Sequence, residues 1–269
     1  MARSQGAVIT AQTISGRRRA LVGWTIGIAC NVAVMLAFYP TVRNRPEFRD
    51  LVNKYPKELL AFIGGSADIT SPTGYLRIEL FSLMVPLLFM IVAISTASSI
   101  LAGEEQEGTL ALVLARPVSR RRVLLEKALA LLCPLLVLGV ILFGLLAVVG
   151  SAAGVHVALS NLAAATLAVV QLALVFGIVA LAIGAATGSK STATGVASAL
   201  AVAAYLVEAL AGLVDWLRSG RRLSPVSQTI GLDPLRTGFH PLNSMTLLIV
   251  TALVLWLGSV LFDRRDLER

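Results

Sequence analysis

Six apolar runs, each close to twenty residues long, dominate this chain: 20–40, 80–102, 128–150, 162–186, 194–214 and 244–262. Glu208 is the one charged residue inside any of them. A bilayer core about 30 Å thick takes roughly 20 residues of helix to cross, so each run is a span by length. Backbone polar groups inside lipid must be satisfied internally, which leaves helices or a closed barrel. The runs are continuous rather than alternating, which selects helices. Composition agrees, with 57% hydrophobic residues, 14% charged ones and a mean hydropathy of +0.82. A soluble domain carries about half apolar residues and about a quarter charged ones. The expected fold is all-α and polytopic: one transmembrane domain over 1–269, with six helices.

An even number of spans puts both termini on one side. The segments on that side (1–19, 103–127, 187–193 and 263–269) hold 13 Lys or Arg in 58 residues, against 10 in 78 on the other (41–78, 151–161 and 215–243). Positive residues stay inside, so the termini are expected in the cytoplasm and the chain in the cell membrane. Topology also accounts for the net charge of +8, because no compact basic domain with interleaved aromatics offers a nucleic-acid surface. Arg17, Arg18 and Arg19 precede a first run with no small-residue cleavage pattern behind it, as in a signal anchor. Cys30 and Cys133 lie inside spans and in no metal-ligand spacing, so packing roles are expected.

Catalytic signatures are missing. Gly184 to Ser191, GAATGSKS, approaches a phosphate-binding loop but has Ser189 where the second glycine belongs, and it follows a membrane helix rather than a strand. It reads as a short turn with Lys190 near lipid headgroups. His156 and His240 fall in outside loops and in no metalloprotease pair, and no nucleophile elbow occurs. The chain is not expected to be an enzyme by itself or to bind a cofactor or metal.

The stretch that composition leaves unexplained is Gly103 to Arg122, GEEQEGTLALVLARPVSRRR. Glu104, Glu105 and Glu107 stand where a helix could begin, carboxylates at the positive end of its dipole. Leu110, Val113 and Leu114 follow at i, i+3, i+4 and give a short helix one apolar stripe. Pro117 stops it, and Ser119 can cap the next helix, which opens on Arg120, Arg121 and Arg122. A solvated loop with arginines that only fix orientation is the simpler alternative.

The order of residues in this loop, an acidic cluster, Gly108-Thr109, an aliphatic run and then Arg116-Pro117-Val118-Ser119-Arg120, resembles the loop between helices two and three in membrane subunits of the type-two ABC exporter family. The six-span outline, the basic start, the long first outside loop (41–78), the segment from Tyr75 to Ala102 with Pro86 and the charged tail from Asp263 to Arg269 are similar to that family too. The resemblance implies a permease that lines a path as a dimer, with a second copy or a paralogue. It implies two separate ATPase subunits that carry the ATP and Mg. The 103–119 loop would then hold a coupling helix seated in an ATPase cleft. Glu104, Glu105 and Glu107 would meet the ATPase, Leu110 with Val113 or Leu114 would brace the helix, and Pro117 would set its angle.

Three polar residues inside spans are candidate substrate contacts: Asn31, Gln171 and Glu208. A carboxylate at mid-membrane costs about 2.5–3.5 kcal/mol on insertion scales, so Glu208 should face protein, water or a partner. It reads either as a site for a cationic or polar substrate or as an interfacial carboxylate near Asp215, and we prefer the second. For Asn31 and Gln171 an interhelical hydrogen bond, worth about 0.6 kcal/mol on average, is the simpler reading. Between Arg45 and Ile63, Phe48, Leu51, Val52, Tyr55, Leu59, Leu60 and Ile63 recur at helical spacing, which predicts one or two helices at the outer surface. Val8, Ile9 and Ile14 give residues 1–19 a weak apolar stripe, as in an interfacial segment. A secondary transporter and a membrane anchor or assembly protein remain the rival classes, although no internal repeat supports the former.

Overall fold

The computed structural model describes residues 18–45, 47, 54, 68–110, 119–211, 220, 221 and 224–265. Among these, six helices are long and apolar enough to cross a membrane, and no strand occurs. We number them α1 (Arg18–Arg43), α2 (Pro72–Gln106), α3 (Arg120–Ala152), α4 (Leu159–Thr187), α5 (Lys190–Leu210) and α6 (Pro241–Arg264). All six expected spans are present, and most reach past the apolar runs that foretold them. The extensions are largest, and equal, at the starts of α2, which begins at Pro72 instead of Leu80, and α3, which begins at Arg120 instead of Ala128. Ser71 caps α2 by accepting from the Gly74 amide at 3.1 Å, so the helix takes in Arg77 and Glu79, which an apolar window excludes. The helices expected between Arg45 and Ile63 and the stripe of Val8, Ile9 and Ile14 lie outside the described residues or almost wholly so.

Helix α4 is the centre of the bundle and packs against α2, α3, α5 and α6. Of its apolar window 61% is buried, as in α2, against 17% for α1 and 22% for α5 and α6. Helices α1, α5 and α6 therefore form the rim, with most of their apolar surface open to lipid or to a partner. Without a hydrophobic gain between helices in lipid, close packing of small residues decides which spans meet. At Gly258 of α6 a Cβ would stand 2.9 Å from the Ala182 backbone, so only glycine lets α6 and α4 touch there. Helix α1 buries one stripe, Ile28, Val32, Leu36 and Tyr39. At its end Tyr75 donates to the Met35 carbonyl at 2.6 Å, and the Tyr39 and Tyr75 rings meet at 5.0 Å.

Helix α2 is not one uniform helix. Two π-helical turns, Arg77–Phe81 and Ser99–Gly103, enclose the regular segment Met84–Ser98, and a last short turn, Glu104–Gln106, follows. We call the end of the bundle that holds Glu104, Arg120 and Arg265 the base, and the opposite end the crown. At the crown, short helices Pro225–Thr229 and Pro234–Thr237 flank a 3₁₀ turn between α5 and α6. Asp233 there has φ 54°, the one positive value outside glycine among the described residues. Its carboxylate meets Arg77 of α2 at 2.6 Å, which holds the strained residue in place.

Candidate coupling loop and transport groove

The glutamates of the 103–119 loop stand between two helical stretches, closing α2 before helix resumes at Thr109 and Leu110. Helix α2 continues through Gln106, so Glu104 and Glu105 lie at its C-terminal end, where the dipole disfavours carboxylates. The unfavourable position is offset by two cations from other helices. Lys127 of α3, with its side chain 2% exposed, donates to both oxygens of Glu104 at 2.7 and 2.6 Å. Arg265, just past α6, pairs with Glu105. Gly108, at φ 72°, then ends the helix, its amide donating to the Glu105 carbonyl at 2.9 Å.

Of the acidic cluster, only Glu107 is exposed, and it stands beside the equally exposed Gly108 and Thr109. The Thr109 hydroxyl donates to the Glu104 carbonyl at 3.0 Å, and Leu110 turns inward to full burial. Val113, Leu114, Arg116 and Pro117 lie outside the described residues. Ser119 caps α3 as expected, accepting from the Arg122 amide at 3.3 Å. The loop's two described ends are therefore fixed, one by ion pairs and one by a cap.

The three substrate-path candidates occupy different places. Asn31 lies half-buried on rim helix α1, with its Oδ1 buried and without a hydrogen bond. Gln171 lines a cavity of about 20 Å³ near the crown, together with Gln228 and His240, room for about one water molecule. Glu208 is engaged on both oxygens: Arg221 donates at 3.1 and 2.9 Å and Ser227 at 2.5 Å. That hydrogen bond from Arg221 raises its guanidinium above its ordinary value. Glu208 thus anchors the crown segment; Asp215, its expected neighbour, lies outside the described residues.

A larger space lies between α2 and α5. It measures about 370 Å³ and is walled by apolar residues that include Leu87, Met90, Ala201 and Leu206. Ser95 and Ser198 border it, and so does Tyr205, whose hydroxyl is buried and unbonded. The groove can hold an apolar or amphipathic group and offers it a few hydroxyls.

The sequence profile of the ABC-2 family transporter proteins matches residues 7–267. The chain belongs to that family. No curated protein matches it. As an ABC-2 protein it is a multi-pass membrane component of a transporter, a permease, and the six helices are its membrane-embedded body.

Several residues of this ABC-2 permease were invisible to span counting. Lys127, Arg265, Arg77 and Asp233 each join helices far apart in sequence, and only the fold supplies their partners. One signal was present: Glu126 and Lys127 sit at the margin of the third apolar run, already about two turns into a helix capped by Ser119. A lysine at that depth needs a carboxylate, and the nearest run of carboxylates precedes the same loop.

Proposed function

We propose that this ABC-2 permease is half of an ATP-driven exporter, with its base in the cytoplasm, two permeases forming the path and two separate ATPase subunits bearing ATP and Mg beneath them. The exposed turn Glu107-Gly108-Thr109 carries the reading, because it is the part of the acidic loop left free by the ion pairs of Glu104 and Glu105. ATP-driven closure of the ATPases would push this turn and the residues up to Ser119, and α2 and α3 would transmit the movement. The excess of Lys and Arg on the terminal side supports a cytoplasmic base. The groove between α2 and α5 is the proposed entrance to the path, since α5 belongs to the rim and a second copy can complete it. In this reading Asn31 and Gln171 serve packing and Glu208 serves the crown.

The test is to purify the tagged permease gently from its native membrane and identify what comes with it. A soluble ATPase in about equal amount, lost on Glu107→Lys while the permease still inserts and folds, supports the proposal. Recovery without any ATPase under several mild detergents removes it and turns attention to a secondary transporter or an assembly factor. Glu107→Lys is the sharper variant, because Glu105→Lys would also break the pair with Arg265.

A further inference from the structure

One residue at the base touches four parts of the bundle. The Arg265 guanidinium donates to the Glu105 carboxylate at the end of α2 and, at 3.0 Å, to the Ala185 carbonyl in the last turn of α4. The Arg265 carbonyl accepts from Arg120, the first residue of α3, which also donates to the Phe262 carbonyl at 2.9 Å and lies over the Phe262 ring at 5.6 Å. Arg265 itself directly follows α6.

The turn between α4 and α5 is shaped for this contact. Gly188 has φ 67°, and a Cβ there would come within 2.8 Å of one guanidinium nitrogen and 3.0 Å of the other, with the Glu105 carboxylate also at 3.0 Å. The failed phosphate-loop motif, Gly184 to Ser191, thus has a physical explanation. Its glycine at 188 satisfies a left-handed backbone and leaves room for an arginine instead of a phosphate. Arginine suits the role, since its planar fork serves a carboxylate and a carbonyl at once, which a lysine ammonium does not do with fixed geometry.

We propose that Arg265 is a positioning residue for energy coupling, which fixes the 103–110 turn against α3, α4 and α6 so that a push on the turn moves the base as one body. The proposal rests on the coupling reading above, and it adds that force enters through the chain's last helix as well as through α2 and α3. The Glu107 surface would remain intact without Arg265. An ATPase could still dock on it, but its movement would be dissipated in a loosened turn.

The experiment compares wild type with Arg265→Glu, Glu105→Arg, the double exchange and Arg265→Lys, each co-reconstituted in liposomes with the ATPase that copurifies with wild type. Three quantities are read: ATPase bound, ATP turnover stimulated by the permease, and amide exchange of residues 103–110. Each single reversal is expected to leave binding within about twofold, to cut stimulation by about tenfold and to speed exchange by about tenfold, the size of one charge-assisted bond. The double exchange should recover much of the stimulation and Arg265→Lys only part of it. Equal loss of binding, stimulation and thermal stability in all variants, with no recovery in the double exchange, overturns the proposal in favour of a purely structural role. Unchanged exchange at 103–110 in Arg265→Glu overturns it too. If no ATPase accompanies wild type, the coupling reading itself falls, and the exchange measurement alone decides whether Arg265 holds the turn.

Discussion

The base and the crown of the bundle both use ion pairs, but they connect different things. At the base, besides the local pair of Arg122 with Glu126 within α3, three pairs join different helices: Glu104 with Lys127, Glu105 with Arg265, and Arg121 with Asp263 at 2.6 Å. At the crown one partner belongs to a span and the other to the segment between α5 and α6: Arg77 with Asp233, and Arg221 with Glu208. The base is tied helix to helix, and the crown is tied through an intermediary. Among the described ion pairs, those at the crown all run through that one segment, whereas those that cross the base join one helix directly to another. If the ATPases drive the permease from its base, as proposed, these direct pairs lie where the push would enter.

The comparison can be broken most severely at Lys127. Lys127→Met should destabilise the protein by about 3 kcal/mol, the low end for breaking a buried pair, because Glu104 keeps a quarter of its side chain exposed. Thermal unfolding in detergent measures it, and the added change Glu104→Gln should return most of the loss. Gly188→Ala comes next, at roughly 1–2 kcal/mol for a side chain in the left-handed region, with Arg265 displaced as well.

At the crown the expected effects are smaller. Asp233→Asn keeps a residue that tolerates positive φ and removes only the charge, so about 1 kcal/mol is expected in the same melt. Glu208→Gln should cost about 0.5–1 kcal/mol, since Arg221 is nearly half exposed. Arg121→Ala returns to the base as a control: its pair is open to water, and a change within about 0.5 kcal/mol is expected. A crown variant that melts earlier than Lys127→Met would reverse the contrast between the two ends.

The spans were legible because lipid imposes one rule on every residue of a run, and a twenty-residue window reads that rule directly. Their ends were not, because caps and charges carry helices beyond the apolar window, as Ser71 does for α2 and Ser119 for α3. The acidic loop was legible as a special segment but not in its geometry. The dipole argument placed the acidic cluster at a helix start; helix does resume at Thr109, but Glu104 and Glu105 first close α2, where Lys127 and Arg265 supply the compensation. The charges 23 and 160 positions away decide that outcome, and no local pattern contains them. Glu208 shows the same limit: its cost in lipid was foreseen, but its partner Arg221 was one of several basic residues in the loop that follows.

The π-helical turn Ser99–Gly103 has a consequence for chain length. Such a turn holds one residue more than a regular helix needs, and one residue corresponds to roughly 100° about the axis. Everything after it is therefore turned out of phase with the body of α2, and that offset aims Glu104 and Glu105 at Lys127 and Arg265. Deleting Ile100 alone would remove no charge and no partner, yet it would rotate both carboxylates away from their cations. The pairing at the base is encoded as much in a residue count as in residue identity.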